Sequence, residues 1–427
     1  MAGQFNRQAV ILGAGTIGSV MALDLLTREP HFAVRLVDRD MSRLQAARAR
    51  VQKAVEGLHA HNDLPDRMSP DAILNSVELQ TADLTDPEAL GRVTTDADVV
   101  LGALSSVIGL RALESVIAAG VARYVDVSFM PEDLPEPLHD RAVRQGTIAV
   151  YDCGVAPGMS NLLTGYAEAR TEGGLGSVEI LVGGLPIERR WPFEYRAGFA
   201  PSDVIEEYTR TARIRRGGRE VHVEALTEPE LLDIAGVGTL EAFNTDGLRS
   251  LLKTVDAPDM VEKTIRYPGH AELMRVLRHI GLFDQTPIEV PVADGDRGGG
   301  IAMTVRVRPL DVMQTLMFPL WQFGEGERER TVMRVRTTSR TGEQQMAWSL
   351  NAEYDDRTHC TSMQRTTAFP ATIMARLLVE GAFDRPGVHP PEIIGRESPG
   401  LAERMLEELR ARGVDFRFAG DDQATFG

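Results

Sequence analysis

The sequence is poor in cysteine, in aromatic residues and in positive charge. Cys153 and Cys360 are its two cysteines, too few for a disulfide framework, which predicts a reducing, cytoplasmic location. Its 427 residues carry 62 Asp and Glu against 46 Lys and Arg, a formal net charge of -16. Because nucleic acids and anionic membranes attract basic surfaces, this balance argues against both as partners. The expected partner is a small molecule.

Long hydrophobic runs and metal-site spacings are also missing from the sequence. The apolar stretch from Val99 to Ala119 is interrupted by Arg111 and Glu114, so it cannot cross a bilayer unaided. The nine histidines are dispersed and the two cysteines lie far apart, and we therefore predict no metal. With 43% hydrophobic residues, a chain of this length can bury two cores, which predicts two domains.

A strand, a glycine-rich turn and a helix follow one another near the start of the chain. The turn has the pattern G-x-G-x-x-G and consists of Gly13, Ala14, Gly15, Thr16, Ile17 and Gly18. The first glycine permits a tight turn, the second lets a pyrophosphate approach, and the third lets helix and strand pack closely. The helix N-terminus then offers free amide donors to the anion. This context predicts a dinucleotide site.

Asp38 ends the second predicted strand, at residues 33–37, where a carboxylate can accept hydrogen bonds from an adenine-ribose diol. A carboxylate there repels a 2′-phosphate, so NAD is favoured over NADP. Arg39 follows directly and could tolerate a phosphate, which leaves NADP possible. The alternative role for Asp38 is a cap for the helix predicted to begin at Met41.

Two later segments fit the rest of a dinucleotide site. Asp83 and Leu84 follow a predicted strand on the adenine side, and Ala103, Leu104 and Ser105 follow another on the nicotinamide side. Ligands of open α/β sheets bind beyond the carboxyl ends of the strands. The alternative is that Asp83 and Ser105 only cap loops.

The order of the apolar segments predicts an α/β fold with a doubly wound parallel Rossmann sheet, because strands alternate with helices up to residue 150. Runs at 178–182, 302–307, 331–337 and 345–354 predict an α+β substrate domain with a mixed sheet. Helical periodicity then returns at 371–380 and 401–412. We predict a Rossmann domain over 1–129, a substrate domain over 130–375, and a C-terminal segment over 376–427 that packs back on the Rossmann domain.

Four segments beyond the glycine turn resemble the saccharopine dehydrogenase family, especially its lysine 6-dehydrogenase branch. They lie at residues 151–161, 183–186, 243–247 and 263–270, and the similarity extends to about Val414. The resemblance implies a Rossmann domain, a mixed-sheet substrate domain and oxidation of a carbon–nitrogen bond by a pyridine nucleotide. It also implies a homodimer or homotetramer.

The resemblance further implies that Ser105, Asp126 and Cys153 contact an amino-acid substrate. Asp126 could bind an ammonium or act as a base, or it could be a buried strand-end carboxylate satisfied by backbone donors. Cys153 could touch the substrate or fill a small apolar space.

Oxidation of an amine requires a general base, because hydride loss needs a free nitrogen lone pair and an ordinary lysine ammonium has a pKa of about 10.4. His270 is the first candidate, although a lone histidine is often structural. Arg266 is a candidate clamp for the substrate carboxylate, with a structural ion pair as the alternative.

Short polar residues precede Gly247 in one of the family-like segments. Asn244 and Thr245 are candidate substrate ligands, although with Asp246 they also form an ordinary turn sequence. Arg189, Arg190 and Tyr195 could approach the same cleft or belong to a solvated loop.

These features predict an NAD-dependent enzyme that deaminates the ε-amine of L-lysine to 2-aminoadipate 6-semialdehyde, which cyclises to a piperideine carboxylate. One alternative is a saccharopine reductase or a related imine-reducing enzyme, for which Arg189 and Arg213 could supply a second carboxylate clamp. Another is an NAD-binding sensor without turnover.

Overall fold

A computed structural model describes residues 7–28, 32–65, 68–130, 134–135, 137–198, 201–293, 301–324 and 326–419. The strands are β1 (Arg7–Leu12), β2 (Phe32–Asp38), β3 (Val77–Thr81), β4 (Val99–Gly102), β5 (Arg123–Asp126), β6 (Ile148–Val150), β7 (Leu175–Pro186), β8 (Ala212–Arg216), β9 (Arg219–Val223), β10 (Glu230–Ile234), β11 (Gly238–Asn244), β12 (Asp259–Arg266), β13 (Ile288–Ala293), β14 (Ile301–Val307), β15 (Glu329–Ser339), β16 (Gln345–Glu353), β17 (Gly387–His389) and β18 (Arg417–Ala419).

The helices connect these strands and cover the sheets. They are α1 (Thr16–Arg28), α2 (Met41–Ala60), α3 (Pro70–Asn75), α4 (Pro87–Thr94), α5 (Ser106–Ala118), α6 (Pro137–Gln145), α7 (Met159–Arg170), α8 (Pro201–Thr209), α9 (Leu251–Thr254), α10 (His270–His279), α11 (Pro309–Trp321), α12 (Ser362–Val379), α13 (Pro391–Glu397) and α14 (Pro399–Ala411).

The first sheet is parallel, with the strand order β17-β6-β5-β4-β1-β2-β3. Helices alternate with its first six strands, and two separate cores form, one on each face. The predicted doubly wound Rossmann sheet is confirmed. The sheet extends past residue 129 through β6, because Tyr124 pairs with Ala149 in the neighbouring strand.

The chain returns to the first sheet after it has built the second domain. The edge strand β17 pairs in parallel with β6, and α12 packs against α1. Buried Asp24 of α1 accepts a hydrogen bond from Thr372 at 2.6 Å and forms an ion pair with Arg412 at 2.9 Å. The predicted C-terminal return is therefore confirmed, and this segment contributes a strand as well as helices.

The second sheet is mixed, as predicted. Its strand order is β10-β11-β12-β7-β15-β16-β18, with β8 paired to β12 and β9 paired to β8. Strands β12 and β7 run parallel, whereas β11 and β15 pair antiparallel on either side of them. One face of this sheet packs into the same core as α7 and α12, so the loops that follow its strands lie near the nucleotide domain.

Candidate functional site

The glycine turn has the backbone that a dinucleotide site requires. Gly13 has φ of 105°, which favours glycine, and a Cβ there would collide with the carbonyl of Ala103. A Cβ on Gly18 would collide with the carbonyl of Gly13. By contrast, nothing lies within 4 Å of a Cβ on Gly15. The turn is therefore tight against the protein and open where a pyrophosphate would approach.

Asp38 lies beside this turn with its carboxylate held in place. Its Oδ2 accepts a hydrogen bond from the Ala14 N–H at 3.0 Å, and its Oδ1 accepts one from the Asp40 N–H at 3.1 Å. The cap of α2 is Asp40, whose side chain accepts from the Ser42 N–H. Asp38 thus does not cap the helix, and it lies where a ribose diol would be recognised.

The adenine side of the turn contains Arg39 and Asp83. Hydrogen bonds from Thr85, with a smaller contribution from the charge of Arg39, lower the pKa of the Asp83 carboxyl. Asp83 is exposed and caps its own loop through the Thr85 N–H at 2.9 Å, whereas Leu84 is buried. The charge of Arg39 therefore reaches Asp83, and the contact of either residue with a cofactor stays a prediction.

Arg50 is a further residue at the glycine turn that sequence reasoning missed. It comes from α2, and its guanidinium donates to the carbonyls of Ala14 at 3.1 Å and Gly15 at 3.2 Å and to the hydroxyl of Ser19 at 3.0 Å. It satisfies carbonyls that the turn leaves free and adds positive charge beside the expected phosphates. No pattern in the sequence signals this role, because the contact joins residues about 36 positions apart.

The nicotinamide side is formed by the loops after β4 and β5. The Leu104 N–H donates to the Ser128 hydroxyl at 3.1 Å, which ties the two loops together. Ala103 and Leu104 are half-buried, and Ser105 is exposed at the start of α5 without a side-chain cap bond. Ser105 is therefore available to a ligand at the carboxyl end of the sheet.

Asp126 is fully buried at the end of β5. Its carboxyl accepts hydrogen bonds from the Tyr124 hydroxyl and from the Ser128 N–H at 2.5 Å. Burial raises its pKa to about 7, with these hydrogen bonds acting in the opposite direction. These contacts are those of a strand-end carboxylate that orders the 126–130 loop, and a catalytic role for Asp126 stays a prediction.

Cys153 is buried and follows an ion pair that joins the two domains. Burial raises the pKa of its thiol, and its N–H donates to the Asp126 carbonyl at 2.8 Å. Next to it, Asp152 binds Arg249 through two hydrogen bonds of 2.6 and 3.0 Å, with both side chains 1% exposed. The surroundings of Cys153 match a packing residue, and contact with substrate stays a prediction.

The loop after β11 separates the two residues predicted to bind substrate. Thr245 lies on the inner face, where its hydroxyl donates to Glu262 at 2.7 Å and lies 2.7 Å from the Thr264 hydroxyl. Asn244 pairs with Lys263 in the sheet register and therefore lies on the opposite face, where its amide contacts Thr227. The structure brings Thr245, but not Asn244, toward the cleft between the domains.

His270, Arg266, Tyr208 and Tyr195 form one buried cluster. His270 Nε2 lies 3.0 Å from the Tyr208 hydroxyl, and Nδ1 lies 2.9 Å from the Phe193 carbonyl. The Arg266 Nε donates to the Tyr208 hydroxyl at 3.0 Å, and its guanidinium stacks on Tyr195 at 4.5 Å. Burial, reinforced by the Arg266 charge, lowers the pKa of His270 to about 3. The imidazole is therefore neutral at physiological pH.

This environment bears on both predicted roles of the cluster. The contact with the Phe193 carbonyl requires a proton on Nδ1, so Nε2 accepts from Tyr208 and has no free lone pair for a substrate. Arg266 has its ion-pair partner in Glu207 at 3.8 Å. These contacts favour a structural role for His270 and Arg266. Their roles as general base and carboxylate clamp stay predictions.

Further charged residues connect this cluster to the nicotinamide side. Arg210, just after α8, lies with its guanidinium 5.6 Å from the centre of the Phe129 ring, and Arg249 stacks on the same ring at 4.2 Å. Arg213 binds Asp246 through hydrogen bonds of 3.0 and 2.9 Å. From Thr245, beside Glu262, to Arg249 the chain can span at most about 14 Å. Arg249 thereby joins the second domain to the loops at the carboxyl end of the first sheet, and the region around this contact is called the interdomain cleft.

Arg189, Arg190 and Tyr195 do not share one environment. Arg189 stacks on Tyr267 at 4.6 Å and pairs with Glu194, and Arg190 pairs with Glu327 at 2.7 Å. Both arginines are about half exposed, while Tyr195 is buried against Trp321. Tyr195 belongs to the His270 cluster, with its ring centre 5.1 Å from that of the imidazole.

Within the described ranges, no helix has both the length and the apolar character needed to cross a membrane. The same residues contain no group of three His, Cys, Asp or Glu side chains arranged to hold a metal ion.

Fold and site together define a two-domain α/β protein with a dinucleotide turn at the edge of an interdomain cleft. Residues 9–150 match the family model described as the saccharopine dehydrogenase NADP binding domain, and residues 154–414 match the saccharopine dehydrogenase C-terminal domain. The chain belongs to the saccharopine dehydrogenase family. The predicted resemblance is confirmed, and membership supports a pyridine-nucleotide oxidoreductase of amino-acid metabolism.

Two of the relatives are yeast proteins. The chain is 20% identical over 413 residues to the saccharopine dehydrogenase [NADP(+), L-glutamate-forming] of Schizosaccharomyces pombe, covering 79% of this chain and 91% of the relative. It is 22% identical over 435 residues to the enzyme of that name from Saccharomyces cerevisiae, covering 84% and 94%. The solved apo structure of saccharopine dehydrogenase (L-Glu forming) from Saccharomyces cerevisiae covers 97% of this chain and all of its own, with a TM-score of 0.76 at 17% identity.

Proposed function

We propose that this protein is an NAD-dependent oxidoreductase that deaminates the ε-amine of L-lysine to 2-aminoadipate 6-semialdehyde, which closes to a piperideine carboxylate. The observation that carries the cofactor part is the Asp38 carboxylate, fixed 3.0 Å from the Ala14 N–H of the glycine turn. A fixed carboxylate at this place accepts hydrogen bonds from a ribose diol and repels a 2′-phosphate. NAD is therefore the expected cofactor.

The charges in the cleft support a substrate with an additional ammonium. Three of the arginines there are matched by carboxylates: Arg213 by Asp246, Arg249 by Asp152 and Arg266 by Glu207. Among the described residues, no lysine or arginine forms an ion pair with Glu262. The neighbouring Lys263 lies on the other face of the sheet and pairs with Glu230.

Glu262 is the anion that these pairings leave for a ligand, and Arg210 forms a solvent-exposed ion pair with Glu206 at 3.5 Å that a ligand carboxylate can replace. Arg210 can face the α-carboxylate of lysine, and Glu262 can face an ammonium group. Their charges complement those of a lysine molecule. The amino acid is proposed on this basis.

The second candidate is a saccharopine reductase, and a specific observation favours it. Both yeast relatives are named as NADP-dependent and L-glutamate-forming, and Arg39 and Arg50 add positive charge near the glycine turn. Saccharopine carries more carboxylates than lysine and would require further unpaired cations. The ion pairs of Arg189 and Arg213 argue against such a supply.

The test measures reduction of NAD and NADP at alkaline pH with L-lysine, ornithine, saccharopine and D-lysine. The proposal expects NADH formation with L-lysine and a trapped cyclic imine as product. Turnover of saccharopine with NADP, without a signal from lysine, would establish the second candidate instead.

The cofactor part has its own variant. Asp38→Ser should weaken NAD binding about tenfold to a hundredfold, because a charge-assisted hydrogen bond contributes about 1.5–3 kcal/mol. The ratio of NAD affinity to NADP affinity should fall as well. Asp40→Ser is the matched control, since Asp40 caps α2 two residues away. Equal NAD affinity in the wild type and the Asp38 variant would remove the argument for NAD.

A further inference from the structure

Glu262 is a buried carboxylate on the inner face of β12, with 4% of its surface exposed. Its hydrogen-bond donor is Thr245, whose hydroxyl also meets Thr264 across the strands. A Cβ on Gly247 would collide with the Glu262 side chain, so a glycine is needed to let this carboxylate reach the cleft-side loop. Burying a carboxylate that accepts a hydrogen bond only from a hydroxyl raises the free energy of the folded protein, so a further role for this carboxylate is expected.

The groups that face Glu262 come from four elements. Glu207 of α8 and Asp246 of the loop after β11 are negative, Arg266 of β12 is positive, and His270 of α10 is neutral beyond it. Burial raises the pKa of Glu262 to about 8, Glu207 and Asp246 add to the increase, and Thr245 and Arg266 oppose it. The site thus disfavours an ionised Glu262 without a partner. It favours Glu262 either protonated or paired with a cation.

We propose that Glu262 binds the ammonium group of the amino-acid substrate and accepts its proton before the carbon–nitrogen bond is oxidised. This inference rests on the proposed function. It names the proton acceptor that amine oxidation needs, a role for which His270 has no free ring nitrogen and Asp126 already holds the Tyr124 hydroxyl and the Ser128 N–H of its own strand and loop.

The proton step balances without any further reactant. The substrate N–H bond breaks, the proton moves to a carboxylate oxygen of Glu262, and the nitrogen is left neutral with a free lone pair. NAD held at the glycine turn and Asp38 would supply the hydride acceptor for the ε-carbon. Glu262 later returns its proton to water, and the site is ready for the next ammonium.

The first test is the pH profile of kcat/KM for lysine and NAD. In the wild type kcat/KM should rise through a pKa of about 8, because Glu262 must be ionised to take the proton. Glu262→Gln should lose that step and lower kcat/KM about a hundredfold to ten-thousandfold, the usual contribution of a positioned base. Glu262→Asp should recover part of the loss.

Glu230→Gln is the matched control, since Glu230 lies in the same sheet, faces Lys263 and has its side chain 47% exposed. It should keep the wild-type profile. An unchanged profile in Glu262→Gln, with lysine still oxidised, overturns the inference and leaves the proposed function standing. If the wild type itself does not oxidise lysine, the proposed function fails first.

The second test measures binding rather than turnover. Calorimetric titration of lysine into the protein with NADH, in buffers of different ionisation enthalpy at pH 7, should detect proton release as the ammonium displaces the proton of Glu262. L-norleucine, which lacks the ε-amine, should release none. Glu262→Gln should bind the two ligands alike, and a retained preference for lysine would contradict the assignment.

A second surface is independent of this site, namely the antiparallel hairpin formed by β13 and β14. The register pairs Ile288 with Val307, Val290 with Val305 and Val292 with Met303, so one face is apolar throughout. The opposite face carries Glu289 paired with Arg306. The apolar side chains are exposed, from 37% for Val290 to 58% for Met303.

Helix α11 follows the hairpin and continues this apolar exposure. Val312, Leu316 and Leu320 recur every fourth residue, and their exposure is between 41% and 67%. The exposed aliphatic side chains of the hairpin and of this helix can both contribute to the about 800 Å² that each partner buries in a stable interface. A two-stranded hairpin is also only marginally stable alone.

We infer that a second copy of this chain covers the hairpin face across a two-fold axis. An uncharged face of small aliphatic side chains is complementary to itself, as a two-fold interface requires. The charged face, with Glu289 and Arg306, stays in water.

Sedimentation velocity at micromolar concentration tests this inference. The wild type should be dimeric, and Val290→Glu combined with Met303→Glu should be monomeric with unchanged NAD binding. Thr304→Glu, on the charged face of the same strand, should remain dimeric. A monomeric wild type, or a double variant that stays dimeric, overturns the assignment.

Discussion

The two ends of the cleft are built in opposite ways. At the nucleotide end, the turn at Gly13–Gly18 and Asp38 lie within one strand–helix–strand unit, and the Asp38–Ala14 contact joins residues 24 positions apart. At the substrate end, Asp152 meets Arg249 across 97 positions, and Tyr208 meets His270 across 62. The nucleotide site is therefore a local motif, whereas the substrate site exists only once the whole second domain has folded.

The largest expected effect on stability comes from removing the Asp152–Arg249 ion pair at the substrate end. Arg249→Met removes the guanidinium that binds the buried Asp152 carboxylate, and breaking a buried ion pair costs about 3–5 kcal/mol. The midpoint of urea unfolding should fall accordingly.

Arg216→Met is the matched control for this substitution. It breaks an ion pair with Glu228 in which both side chains are about half exposed, and it should cost less than about 1 kcal/mol. Equal losses of unfolding free energy in the two variants would mean that burial does not make the Asp152–Arg249 ion pair stronger than a surface pair.

Much of the fold and the nucleotide end could be predicted from sequence because the signals are local. Apolar runs at β1, β2, β4 and β5 alternate with helices, and the glycine motif occurs in its required context. Strands β8 to β11 were missed because they are short, carry many charged residues and are stabilised by pairing with β12.

The substrate end resisted prediction for the same physical reason. Glu262 and Arg210 stand in charged stretches with no motif, and only the sheet register and the end of α8 bring them to the cleft. Asn244 and Thr245 are adjacent in sequence, yet strand alternation sends them to opposite faces. His270 was singled out for its type and its segment, and neither reveals that both of its ring nitrogens are engaged.

An intermediate effect is expected from a single methyl group at the nucleotide end. Gly15→Ala should leave the melting temperature of the free protein unchanged, because nothing lies within 4 Å of the added Cβ. NAD affinity should nevertheless fall about tenfold or more, or about 1.4 kcal/mol, since the methyl occupies the space a pyrophosphate needs.

Gly91→Ala in α4 is the control for the glycine substitution, because its Cβ makes an ordinary 3.8 Å contact with Ala119. Fluorescence titration with NADH measures all three proteins. Full NAD affinity in Gly15→Ala would show that the open side of the turn does not bind the cofactor. The glycine turn would then not be the pyrophosphate site.

The smallest effect concerns the pH dependence of the substrate end. His270 has a folded-state pKa of about 3, below the about 6.5 of an unfolded histidine, so the unfolded chain binds the proton first as pH falls. Its contribution to stability is therefore complete above pH 6.5 and is lost between pH 6.5 and 3, at up to about 1.4 kcal/mol per pH unit. His270→Asn should be less stable at pH 7.5 but lose less stability on acidification to pH 5.

His59→Asn, at the exposed end of α2 in the nucleotide domain, should keep the wild-type dependence on pH. Denaturant midpoints at pH 7.5, 6 and 5 provide the measurement for all three proteins. If the wild type and His270→Asn lose stability in parallel, the buried imidazole is not what makes the second domain acid-sensitive. A smaller loss in His270→Asn alone would assign that sensitivity to the Tyr208–His270–Phe193 contacts, which are formed only when distant segments of the second domain pack together.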